Sequence, residues 1–121
     1  MASEVKSVAD GMADIARSGR IGRPVFVRWT ETVRAPGPAA QAAADAAVGH
    51  VSGWMGAPPD RQTVIGSPES GNLTVFCAWD GSQSAIVATG VASADGRPGL
   101  DIALIGSSGA AYHDGSTEFS A

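Results

Sequence analysis

Only one cysteine, Cys77, occurs in 121 residues. The chain can therefore close no internal disulfide and offers no cysteine set for a zinc site. The thiol sits in the apolar run Leu73-Thr-Val-Phe-Cys-Ala-Trp79, the setting of a buried structural residue rather than a reactive one. Long apolar runs are also missing. None approaches the ~18 residues of a membrane span, and the first six residues lack the apolar core of a signal peptide. A cytoplasmic protein with no membrane partner is the expectation. Basic charge is scarce as well: eight Lys and Arg stand against twelve Asp and Glu, a net charge of −4. Phosphate backbones need a basic footprint, so no nucleic-acid partner is expected. Lys6, Arg17, Arg20, Arg23, Arg28 and Arg34 cluster early in the chain and read as solvated side chains around one strand.

Histidine is limited to His50 and His113. A metal needs three or four convergent ligands and no His-x-x-x-His pair occurs, so no metal is expected. No Gly-x-Gly-x-x-Gly follows a strand, and no glycine-rich loop ends in Gly-Lys-Ser/Thr, so no cofactor is expected either. Gly106-Ser-Ser-Gly109 lacks the spacing of a nucleophile elbow and reads as a turn. His113 beside Asp114 reads as a solvated pair. Asn72-Leu-Thr74 has the form of a glycosylation sequon, which carries no meaning in a cytosolic protein.

What is present is enough apolar residue, 44%, for one core. The length fits a single domain over 1–121, with 1–3 and 115–121 frayed. Val5, Val8, Met12, Ile15 and Ala16 share one face of a helix over 4–17, with Ser3 as cap and Ser18-Gly19 as stop. A strand over 25–33 turns Val25, Val27 and Trp29 one way and Arg28, Thr30 and Thr32 the other. A second helix runs from Pro38 to about Met55 on the stripe Ala44, Ala47, Val48, Val51 and Met55. Gly49 and Gly53 weaken it by ~1 kcal/mol each relative to alanine, which points to a sheet packed close against them. His50 precedes Trp54 by four residues, placing it to stack on that ring.

Strands follow at 63–65, 73–79, 85–92, 100–105 and 110–113, with Asp80-Gly81 as a hairpin signal and a turn at 95–99. Trp29, Trp54 and Trp79 read as core. The fold class is α+β: a mainly antiparallel (mixed), open-faced sheet of about five to six strands, with two helices packed on one face.

Four segments carry a resemblance. They are Asp10-Gly-Met-Ala-Asp-Ile-Ala-Arg-Ser-Gly-Arg-Ile-Gly-Arg-Pro-Val-Phe-Val-Arg28, Val51-Ser-Gly-Trp-Met-Gly56, Trp79-Asp-Gly81 and Ile105-Gly-Ser-Ser-Gly-Ala110. In this order, over roughly residues 4–114, they resemble the C-terminal sheet domain of the Gfo/Idh/MocA family of sugar and inositol dehydrogenases. The resemblance implies a sheet domain that associates through its open face. The family's Rossmann half, with its Gly-rich loop and Lys-Pro dipeptide, has no counterpart in this sequence.

The family's domain helix carries an Asp and a His four apart, facing substrate. The nearest candidates for a catalytic pair here, Asp45 and His50, stand five apart, which turns side chains ~140° from each other where four leave them ~40° apart. Aligned backward from Gly56, the two family positions carry alanine.

The expectation is a non-catalytic domain, not an enzyme on its own, that works through self-association or a protein partner. The strands over 73–79, 85–92 and 100–105 are apolar on both faces, and two helices can cover only one, so a homodimer through the open sheet face is expected. Two alternatives stand beside it. One is the substrate-side subunit of a split NAD(P)-dependent sugar- or inositol-type oxidoreductase, completed by a separate Rossmann-domain protein. The other is a small-ligand binding module that uses the sheet face and its tryptophans.

Overall fold

The computed structural model describes residues 2–92 and 98–114. The i, i+3, i+7 apolar spacing near the start folds as α1 (Ala2–Ser18), which begins ahead of the expected cap at Ser3. It ends where the Ser18 hydroxyl donates back to the Ile15 carbonyl at 2.8 Å. The expected turn at 95–99 lies mostly outside the described residues, and the expected frayed tail at 115–121 lies wholly outside them.

Alternation governs β1 (Pro24–Val33): Val27, Trp29 and Glu31 are buried while Arg28 and Thr30 are exposed. Pro38 opens α2 (Pro38–Met55), and Gly56 closes it in the left-handed conformation with its N–H on the Ser52 carbonyl at 2.9 Å. The remaining elements are β2 (Arg61–Ser67), β3 (Asn72–Ala78), β4 (Ser84–Val91), β5 (Gly99–Gly106) and β6 (Ala110–His113). β2 is longer than the expected 63–65, because its whole length pairs with β3. At the Asp80-Gly81 hairpin, Gly81 supplies the positive φ, and the Trp79 N–H reaches the Gln83 carbonyl at 3.0 Å.

The six strands lie in the order β2-β3-β4-β1-β5-β6. All neighbours are antiparallel except β1 and β4, which run parallel. A parallel neighbour needs a crossover, and here α2 together with β2 and β3 makes it. The first strand in sequence thereby becomes a central one.

Both helices cover the same face. α2 lies across β1, β3 and β4, and α1 packs beside it and reaches β6. The core joins Val27, Trp29, Val75, Val87, Ile102 and Leu104 of the sheet to Met12, Ala47, Val51 and Trp54 of the helices. Trp29, Trp54 and Trp79 are all buried, as is Cys77, whose thiol pKa is raised by desolvation. No helix among the described residues is long and apolar enough to cross a membrane.

The buried stripe of α2 is Ala40, Ala44, Ala47, Val51 and Trp54, with Val48 and Met55 only half-buried. The helix is rotated from the expected stripe toward Trp54, whose ring carries more apolar surface than Met55. The glycines are a second correction. Gly49 and Gly53 are exposed, and a Cβ built on either meets nothing within 4 Å, so the sheet is approached by alanines instead.

A close approach that does require glycine occurs elsewhere. The turn after β5 donates from the Ser107 and Ser108 N–H groups to the Arg23 and Ile21 carbonyls, both at 2.9 Å. The Arg23 N–H returns a bond to Ser107 Oγ at 2.9 Å. A Cβ on Gly106 would collide with the Ile21 carbonyl oxygen.

One chemical change therefore has opposite signs at different glycines. Gly49→Ala and Gly53→Ala should each raise stability by ~0.5–1 kcal/mol in urea unfolding, since helix entropy alone is at stake. Gly106→Ala should lower it by ~2 kcal/mol or more through forced displacement of Ile21. A loss at Gly49 or Gly53 would mean that the outer face of α2 is covered.

Candidate functional site

Asp45 and His50 lie on opposite flanks of α2. Asp45 is exposed, accepts from the Gln41 side-chain amide at 2.8 Å, and borders a shallow groove with Gln62 and Val64 of β2. His50 turns the other way, toward α1. It stacks on Trp29 of β1, with ring centroids 5.9 Å apart and planes 7° from parallel. Trp54 meets the same indole at 5.9 Å, tilted by 32°. The histidine's ring partner is thus Trp29 rather than the expected Trp54. The spacing within the helix could not reveal this, because the contact crosses between elements.

His113 also departs from expectation. Register places it opposite Ile102, on the helix-covered face, so it is half-buried and its Nε2 is shut from solvent with no hydrogen-bond partner among the described residues. Only Asp114 of that pair is exposed. Among the described residues no group of three or more His, Cys, Asp or Glu side chains converges to hold a metal ion.

Two surfaces remain that could engage something. The first is the sheet face away from the helices. Pairing aligns Thr63, Phe76, Ile86, Arg28, Ala103 and Tyr112 in one row across all six strands. Phe76 is 39% exposed and Tyr112 71%, and Ile65 at 58% extends the apolar surface on β2.

The second is a cleft of about 460 Å³ where α1 and α2 diverge above β1. α2 contributes Ala39, Ala42, Ala43 and Ala46, an i, i+3, i+4, i+7 stripe distinct from the one on the sheet. Val5 faces them from α1, His50 closes one end, and Glu31 lies on the floor beside Trp29.

Glu31 was absent from the expected site, although the signal was available. Period-two alternation puts it in phase with Val27 and Trp29, an acid on the apolar side of a strand. It is only 6% exposed, and its Oε1 accepts from the Trp29 indole N–H at 3.0 Å. Burial raises its pKa, and the indole hydrogen bond offsets part of that rise. Thr89, its neighbour in register on β4, is 2% exposed, and its hydroxyl has no hydrogen-bond partner among the described residues.

Fold and surfaces together define an open-faced two-layer α+β domain. No family model, curated protein or solved structure matches the chain.

The buried acid has a measurable consequence. A carboxyl whose folded pKa is raised contributes stability that is fully present below its unfolded pKa and is lost as pH rises from there through the folded value. Glu31→Gln keeps an acceptor for Trp29 and removes the titration. Measured by urea midpoints from pH 4 to 8, the variant should gain on the parent as pH rises and be the more stable protein at pH 7. A constant difference, or one of opposite slope, would contradict the burial argument.

Proposed function

We propose that this chain is a non-catalytic assembly domain whose open sheet face pairs with a second copy of itself. The carrying observation is the uncovered row that runs from Phe76 through Ile86 and Arg28 to Tyr112 on the edge strand β6. Aromatic residues and arginine are the types enriched at interface cores. Six strands spaced ~4.8 Å apart and ~7 residues long present a projected area of ~550 Å². Side-chain relief increases that area toward the ~800 Å² per partner of a standard interface.

Small residues favour sheet-to-sheet approach: Ala78 and Ala88 flank the row on β3 and β4. A two-fold pairing is the simplest closure, because the same patch serves both copies. The likeness to the Gfo/Idh/MocA sheet domain belongs to this proposal and favours the same association.

Analytical ultracentrifugation should find a dimer at ~10 μM, the range of an interface of this size. Ile86→Glu places a charge at the centre of the face, where the residue is only half-buried in the single chain. It should give a folded monomer with an unchanged circular dichroism spectrum. A well-behaved parent monomer at ~100 μM, about −5.5 kcal/mol on the affinity scale, would overturn the reading.

A further inference from the structure

The cleft between the helices is independent of the open face, and its chemistry is unlike the rest of the covered side. Its volume, about 460 Å³, lies within the range of small-molecule sites, which pair mostly apolar walls with a few placed polar groups. The walls here are alanine methyls, Val5 and the Trp29 ring; Lys6 and His50 stand at the margins, and Glu31 is the acid on the floor.

A buried carboxyl is costly unless paired. Trp29 takes one oxygen, a task that a neutral amide could perform. Among the described residues no second hydrogen bond engages the carboxyl, and Glu31 lines the cleft. Lys6 at the rim is engaged with Asp10 at 2.8 Å. Glu31 therefore has no ion-pair partner among the described residues.

We propose that this cleft binds a small amphipathic primary amine. The ammonium sits on the second oxygen of Glu31, and the apolar body lies against Ala42, Ala43 and Ala46. That single oxygen selects the head group. A guanidinium prefers two parallel acceptors, and Trp29 already occupies one, whereas an ammonium is satisfied as a point charge. A ligand carboxylate would set acceptors, and like charge, against the Glu31 carboxylate.

The test is NMR titration of the full chain with phenethylamine, using 2-phenylethanol and 3-phenylpropionate as neutral and anionic matches of the same body. Phenethylamine should move the Ala42, Ala43 and Ala46 methyl signals and the Trp29 indole N–H signal to saturation. The alcohol and the acid should bind at least about tenfold more weakly, that being ~1.4 kcal/mol. Glu31→Gln should lose about the same factor, and Ala42→Phe, at an exposed helix position, should fill the cleft and abolish binding. If Glu31→Gln proves unfolded, Ala42→Phe and the two matched compounds carry the test alone. The proposal is overturned by the absence of saturable shifts up to about 10 mM, weaker than ~−3 kcal/mol. It is equally overturned if phenylethanol binds as tightly as phenethylamine, if folded Glu31→Gln binds as well as the parent, or if Ala42→Phe leaves the shifts intact.

Discussion

Every layer of this protein meets at Trp29. It stands on β1, the strand with β4 on one side and β5 on the other, and it is completely shut from solvent. From above, α2 lays His50 and Trp54 against its ring. Its indole N–H, which cannot be left unpaired in such a place, is taken by Glu31 two residues along the same strand. The indole thus helps to seat the second helix and holds a carboxyl inside. Burying an aromatic of this size brings a large apolar gain, and that gain offsets the cost of the acid beside it.

Among the described residues two α-helices stand against six strands, and both lie on one side. That imbalance shapes the molecule. On the covered side, alanines at 40, 44 and 47 let α2 sit close to the sheet, and α1 fills in toward β6. On the other side, large apolar groups stay in water. The two surfaces that could engage a partner follow from the same arrangement: one where no helix lies, the other where the two helices part.

Closure of the fold relies on contacts far apart in sequence. The connector between α1 and β1 is clasped by the turn between β5 and β6, through backbone and serine hydrogen bonds spanning 84 residues. The clasp works because residue 106 has no side chain to meet the Ile21 carbonyl. The serines in that turn hold the chain together through these hydrogen bonds.

Local periodicity determined much on its own. The 3.6-residue and two-residue patterns placed both helices and every strand, and Asp80-Gly81 marked its hairpin, because these signals depend only on neighbouring residues and solvent. The apolar content of both strand faces likewise told that one side would stay uncovered. Three things required the tertiary structure. The parallel pairing of β1 with β4 depends on how α2, β2 and β3 cross over, which no local pattern encodes. The rotation of α2 toward Trp54, and with it the turning of His50 onto Trp29, was settled by competition among rings for the core. The meaning of Glu31 came last. Its phase on the strand was legible, but an acid on an apolar face becomes a candidate site only once two helices diverge above it and leave the carboxyl lining an open cleft.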